Sequence, residues 1–169
     1  MSDSSQAAGR RPASHRYEVT VEWTGDRGTG TSGYRDFARD HDVAATGRPT
    51  IAGSADPAFR GDPQRWNPED FLVAALAECH MLTFLHLAAV NGVIVTGYVD
   101  AATGTMEMNR DGSGQFSEVT LHPVVTVQDE SMREKALSLH EPVGEMCFIA
   151  RSVNFPVRHD GTVVTDRTS

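Results

Sequence analysis

The chain has few cysteines, little positive charge and no long apolar run that is free of polar side chains. Its 169 residues include two cysteines, too few for a disulfide scaffold. The formal net charge is −8 at pH 7, and an acidic surface repels phosphate backbones, which argues against nucleic-acid binding. The most apolar stretch, residues 71–90, contains Glu78, His80 and His86, so we expect no membrane span.

The beginning of the chain also lacks an export signal. Residues 1–16 are rich in Ser, Ala and Arg and have no continuous apolar segment of the kind found in signal peptides. We therefore predict a disordered tail over residues 1–16, one domain over residues 17–169 and a cytoplasmic location. In a reducing compartment, a pair of cysteines is more often catalytic or redox-active than structural.

Metal and cofactor motifs are missing as well. Cys79 and Cys147 stand 68 residues apart, and the histidines at 41, 80, 86, 122, 140 and 159 match no zinc-ligand spacing. The sequence has no phosphate-binding glycine loop and no dinucleotide fingerprint. It therefore predicts neither a metal nor a cofactor.

What the sequence does contain is a succession of strand and helix patterns typical of an α+β domain. Strand patterns cover Tyr17–Trp23, Gly33–Phe37, Pro49–Ala52, Val93–Asp100, Met106–Asn109, Phe116–Val127 and a last strand over Val153–Val164. Shorter helices are predicted at Asp129–His140 and at about Val143–Arg151.

The strongest single prediction is a long helix that contains Cys79. Asn67 is a good N-cap, Pro68 suits the first helical position, and Asn91-Gly92 supplies a stop. The helix is apolar almost all round, which predicts a central core helix covered on more than one side. Composition alone therefore favours a packed, inert Cys79, since free cysteines are among the most buried residues.

A resemblance to a known family favours the other interpretation. The stretch Asn67-Pro68-Glu69, followed by nine residues and Cys79, resembles the signature of the OsmC/Ohr superfamily, the osmotically inducible and organic-hydroperoxide-resistance proteins. The segment from Cys147 to Val157 resembles that family's second-cysteine segment, and Cys79-His80 is similar to one branch of it. The likeness runs from about residue 17 to 160.

The resemblance implies a fold and an activity. The fold would be antiparallel sheets packed around a long central helix in an intertwined homodimer, with active sites at the subunit interface. Cys79 would reduce a small or organic hydroperoxide, Cys147 would resolve the product through an intramolecular disulfide, and a dithiol reductant (lipoyl-type in the hydroperoxide-resistance branch) would reset the protein.

The same resemblance assigns supporting residues. Glu69 matches the family's motif glutamate, which organises the thiolate together with an arginine that lies upstream. The candidates here are Arg35, Arg39 and Arg60, of which we select Arg39 and Arg60. Ten helical residues correspond to about 15 Å of rise, so Glu69 cannot reach Cys79 on its own helix and would serve the partner subunit's thiol. Alternatively, Glu69 only stabilises the helix, as a negative charge at the positive end of the helix dipole.

Two histidines and one difference from the family's sequence pattern leave alternatives open. His80 points about 100° away from Cys79 around the helix and either faces a cavity or occupies a polar spot in the core; His140 is taken as structural. Where the branch has Ala-His before the second cysteine, this chain has Val143-Gly144. A protein of the same fold that binds a small hydrophobic or acyl ligand, and a structural module with inert cysteines, remain the alternatives.

Overall fold

The computed structural model describes residues 14–166 of the chain. Most of the predicted tail, residues 1–13, lies outside the described residues, so the boundary at residue 16 stays a prediction. The chain divides into two compact units between Trp66 and Asn67.

The first unit contains one three-stranded antiparallel sheet with the order β1-β2-β3. Its strands are β1 (Thr20–Trp23), β2 (His41–Ala44) and β3 (Ile51–Gly53). The strand predicted at Gly33–Phe37 is wrong, because this segment forms turns. Just before it, the Asp26 carboxylate accepts hydrogen bonds from two backbone amides of the loop, a local pairing that competes with a strand ladder.

The second unit begins with the predicted long helix, α1 (Pro68–Val90). The Asn67 side chain accepts a hydrogen bond from the Asp70 amide at 2.7 Å, as an N-cap does. At the other end Gly92 adopts a φ of 72°, a left-handed conformation that glycine tolerates. Both ends of the helix are therefore confirmed.

The burial of α1 differs from the prediction. Its buried residues form one stripe at a spacing of four, namely Leu76, His80, Phe84 and Ala88. This stripe packs on β4 and α3, whereas the other faces stay partly open. By length and composition, with a mean hydropathy of 1.7, α1 could also cross a membrane, which corrects the expectation that no segment is long and apolar enough. Core helices of globular proteins have the same composition.

Two further three-stranded sheets have the orders β4-β7-β9 and β5-β6-β8. Their strands are β4 (Val95–Asp100), β5 (Thr103–Met108), β6 (Gly114–Leu121), β7 (Pro123–Val127), β8 (Val157–His159) and β9 (Thr162–Thr165). Each sheet has one antiparallel pair and one parallel pair. The single strand predicted at Val153–Val164 is wrong, because β8 and β9 belong to different sheets.

Two short helices, α2 (Arg133–Ser138) and α3 (His140–Met146), connect β7 to β8. The helix predicted at about Val143–Arg151 ends earlier, and Cys147 is its C-terminal cap in an extended conformation. A 3₁₀ turn, Ala150–Ser152, follows. Cys147 therefore lies in the bend between two helical segments, and not inside a helix.

Candidate functional site

Cys79 lines an open pocket of about 600 Å³, called here the outer pocket. Its walls come from α1 and from the segment around Cys147, and are formed by Ala75, Glu78, Cys79, Leu82, Thr83, His86, Met146, Phe148 and Ile149. Most of these side chains are apolar. The pocket is thus suited to the organic part of a small molecule, with one thiol in its wall.

The surroundings of Cys79 correct the prediction, made from composition, that this side chain is packed in the core. Cys79 is half-buried, because it lies beside the buried stripe of α1 and not within it. The Thr83 hydroxyl donates a hydrogen bond of 2.8 Å to the Cys79 carbonyl. A thiol that is both supported by a helix and open to a pocket can meet a small-molecule oxidant.

The second cysteine lies directly behind the first. Both cysteines are free, and Cys147 is 1% exposed. The Ala150 amide donates to the Cys147 Sγ at 3.4 Å. Burial, followed by a side-chain hydrogen bond with Cys79, raises the pKa of the Cys147 thiol to about 11. The structure therefore brings the two sequence-predicted cysteines into contact, with one thiol half-open and the other buried and protonated.

Behind Cys147 lies a second, more enclosed space of about 150 Å³, called here the inner cavity. Its walls are formed by Leu76, His80, Leu121, Gly144, Cys147, Ala150, Val157, Arg158 and His159. Cys79 and His80 thus face different spaces, as expected for adjacent residues of a helix. His80 fits both of its alternatives, because it lines this cavity and is also buried in a polar spot that it forms with His140.

Three histidines meet beside the inner cavity, and sequence reasoning missed them as a group. His80 Nε2 lies 3.1 Å from His140 Nδ1. The ring centroids are 5.4 Å apart for His80–His140, 5.7 Å for His80–His159 and 5.7 Å for His140–His159. We call these three residues the histidine cluster. His140 and His159 are 60 and 79 residues from His80 along the chain, so no local sequence pattern could reveal the cluster.

Burial keeps two of these imidazoles neutral. Desolvation, followed by repulsion from His140 and His159, lowers the pKa of His80 to about 4. Desolvation, followed by repulsion from His159, lowers the pKa of His140 to about 4. At neutral pH both rings therefore act as uncharged hydrogen-bonding groups.

This pair predicts a loss of stability in mild acid. A histidine whose pKa is lower in the folded state binds its proton preferentially when unfolded, so its contribution is present above pH 6.5 and is lost as the pH falls toward 4. We expect the free energy of unfolding to drop by about 2–4 kcal/mol over this window after allowing for solvent screening. Urea unfolding at several pH values measures it. In His140→Leu the drop should be about half as large, and an equal drop in both proteins would contradict the assignment.

The other sequence-predicted residues occupy separate places. Glu69 lies in the first turn of α1, and its Oε2 is buried without a hydrogen-bond partner among residues 14–166. Arg39 belongs to the first unit, where its guanidinium donates to the Tyr34 and Phe37 carbonyls and lies over both rings. Arg60, also in the first unit, is exposed and caps a 3₁₀ turn.

Among residues 14–166, no group of three or more His, Cys, Asp or Glu side chains is arranged to hold a metal ion. This includes the histidine cluster, in which the His80 and His140 rings stack at 14° to one another.

Comparison with known proteins shows the family to which the chain belongs. The family described as OsmC-like protein matches residues 61–160. An OsmC-like protein of unknown function from Vibrio cholerae is 29% identical, with a TM-score of 0.78 over 88% of this chain and 99% of that one. No curated protein matches the sequence.

Two more distant structures share the fold. An OsmC-like protein from Mycoplasma pneumoniae is 16% identical, with a TM-score of 0.69 over 90% of this chain and 99% of that one. An organic hydroperoxide resistance protein from Legionella pneumophila is 17% identical, with a TM-score of 0.62 over 89% and 98%.

Proposed function

Since the chain belongs to the OsmC-like protein family, we propose that it is a cysteine-dependent hydroperoxide reductase in which Cys79 is oxidised and Cys147 resolves the product. The observation that carries this proposal is the contact between a half-open thiol in an apolar pocket and a buried thiol directly behind it. A structural relative that is named an organic hydroperoxide resistance protein supports the reaction class.

The first step takes place in the outer pocket. The Cys79 thiolate attacks the terminal oxygen of the hydroperoxide, the O–O bond breaks, and the alkoxide takes up a proton and leaves as an alcohol. Cys79 is then a sulfenic acid. The apolar wall, including Leu82 and Phe148, holds the organic part of the substrate while the reacting end reaches the thiol.

The second step forms a disulfide. The Cys147 thiolate attacks the Cys79 sulfur, the S–O bond breaks, and the leaving hydroxide combines with the proton given up by Cys147 to form water. A dithiol reductant, for which a lipoyl-type molecule is the candidate, then reduces the disulfide and restores both thiols. Trapping the sulfenic acid in this way prevents its further oxidation to the sulfinic acid.

The role of Glu69 leads to a proposal about assembly. Its buried Oε2 has no partner among residues 14–166, and a buried carboxylate oxygen without a partner is costly. About 15 Å of helix separates it from Cys79 of the same chain. We therefore propose a cytoplasmic homodimer in which Glu69 serves the other subunit's Cys79, together with Arg39 or Arg60.

Mixing the reduced protein with cumene hydroperoxide tests the function. We expect rapid consumption of one equivalent of peroxide and a Cys79–Cys147 disulfide in non-reducing peptide mapping by mass spectrometry. Hydrogen peroxide at the same concentration is the control, because it has no organic part that the apolar pocket could bind. We therefore expect it to react more slowly than cumene hydroperoxide. A reduced protein that consumes neither peroxide would refute the proposal.

The second candidate function is the binding of a small hydrophobic or acyl ligand in the outer pocket. The size and apolar walls of the pocket favour it. It predicts that oxidants never produce the Cys79–Cys147 disulfide, while an apolar fluorescent probe such as 1-anilinonaphthalene-8-sulfonate binds with one-to-one stoichiometry. The same peptide mapping therefore separates the two functions.

A further inference from the structure

The histidine cluster has no role in the steps described so far. His80 and His140 are each 3% exposed, and His140 Nε2 has no hydrogen-bond partner among residues 14–166. The Phe84 ring stacks on His140 at 4.5 Å between centroids. Burying the two imidazoles of His80 and His140 against apolar side chains is costly, so the arrangement calls for an explanation.

The cluster and Cys147 share one space. His80, His159 and Cys147 all line the inner cavity, whose volume of about 150 Å³ is large enough to hold water. Cys147 does not line the outer pocket. A proton that leaves the Cys147 sulfur is therefore released on the side of the imidazoles, while the sulfur itself contacts Cys79.

The chemistry of Cys147 requires such a release. Its thiol is predominantly protonated at neutral pH, since burial and Cys79 raise its pKa to about 11. Far less than about 1% would be thiolate at pH 7. Only the thiolate attacks a sulfur, so an unassisted Cys147 would resolve slowly. A nearby base that accepts the proton during the attack removes this limit.

We propose that His159 accepts the Cys147 proton through the inner cavity as Cys147 attacks the Cys79 sulfur, and that His140 and His80 are positioning residues that hold the His159 ring. This inference rests on the proposed resolving role of Cys147. The S–H bond of Cys147 breaks, the S–S bond forms, and the group on the Cys79 sulfur leaves with the bonding electrons. His159 holds the Cys147 proton until it passes through solvent to the leaving hydroxide, which becomes water. No outside oxidant is needed for this step.

The charges around Cys147 are consistent with this direction of transfer. Cys79 and His80 on α1 and Arg158 and His159 on β8 lie beside Cys147, and His140 on α3 lies against the His159 ring. The charge of Arg158 is paired with Glu118 at 3.5 Å. His80 and His140 are neutral at pH 7, so they present no positive charge that would block a proton on the neighbouring ring. His159 is exposed and can pass the proton to solvent.

The test uses 5,5′-dithiobis(2-nitrobenzoate), which isolates the resolving step from peroxide chemistry. The reagent first forms a mixed disulfide at Cys79 and releases one thionitrobenzoate. Cys147 then attacks the Cys79 sulfur and releases the second, which is followed by absorbance at 412 nm. In His159→Gln we expect the second phase to slow by about tenfold or more, with the first phase changed less than twofold. His122→Gln, which alters a histidine outside the cavity, is the control and should match the wild type in both phases.

The pH profile separates a proton acceptor from a structural residue. In the wild type the second-phase rate should change by less than about threefold per pH unit around neutral pH, because a neighbouring base takes the Cys147 proton during the attack. In His159→Gln it should rise about tenfold per pH unit, as expected for free thiolate. Equal second-phase rates and equal profiles in the two proteins would overturn the inference.

The failure of the inference and that of the proposed function give different results. Release of a single thionitrobenzoate by the wild type would refute the resolving role of Cys147 and the inference with it. Two normal phases with no reaction toward peroxide would refute the hydroperoxide reductase proposal while leaving the role of His159 intact.

Discussion

Cys79→Ser is expected to lower the second-order rate constant for cumene hydroperoxide by at least about 10³-fold. The hydroxyl of serine stays protonated at neutral pH and cannot form a sulfenic acid, so the variant loses both the nucleophile and the site of oxidation. Because the side chain is half-buried beside the core stripe of α1, the substitution should leave the fold intact. Stopped-flow mixing with excess peroxide measures the rate constant, and circular dichroism checks the fold.

Cys147→Ser is the matched control for that experiment. It removes the buried thiol and keeps the half-open one, so the first oxidation of Cys79 should stay within about threefold of the wild-type rate while no disulfide forms. With excess peroxide, Cys79 should proceed to the sulfinic acid, a gain of two oxygen atoms in the intact mass. Fast oxidation of Cys79→Ser combined with an unreactive Cys147→Ser would show that the two roles are reversed.

The limits of α1 could be predicted from the sequence because they depend on neighbouring residues. A helix cap is made by side chains within a few positions, and the Asn67 side chain bonds the Asp70 amide as its type suggests. The contact between Cys79 and Cys147 could not be predicted from the local sequence pattern. Nothing in the spacing of 68 residues predicts it, and it came only from the resemblance of two separate segments to one family.

The burial of Cys79 could not be derived from composition. An all-round apolar helix suggests all-round cover, whereas the described part of the chain covers one stripe of α1 and leaves Leu82 62% exposed. The histidine cluster is a similar case, because three chain segments come together only when α1, α3 and β8 pack. In both cases tertiary packing determines the surroundings of the side chain, and the local sequence pattern carries no information about that packing.

Errors in the strand predictions have an equally physical origin. Residues 33–37 show a weak alternation of apolar and polar side chains, which suggests a strand. Hydrogen bonds between nearby residues, such as the one from Ser32 to Asp36, stabilise turns instead. The last segment alternates along its whole length, yet the strand is interrupted between His159 and Thr162 and its halves join different sheets. A Cβ at Gly161 would lie 2.7 Å from His140 Nε2, so this glycine makes room for the histidine cluster.

Phe84→Ala is expected to destabilise the protein by about 3–5 kcal/mol, because it removes the largest fully buried side chain from the main core. Phe84 is 0% exposed and joins two parts of the molecule, since its ring packs on Tyr98 of β4 and stacks on His140 of the histidine cluster. The alanine leaves a cavity that the surrounding β-strands can fill only in part.

Urea unfolding at pH 7 measures this loss, and Val90→Ala near the end of the same helix is the control. Val90 is 65% exposed, so its truncation should cost less than about 1 kcal/mol. The same core side chain also supports His140, so Phe84→Ala should slow the second thionitrobenzoate phase more than the first even at temperatures where the variant is fully folded. A variant that loses stability while both phases stay unchanged would show that the packing on His140 serves the core alone.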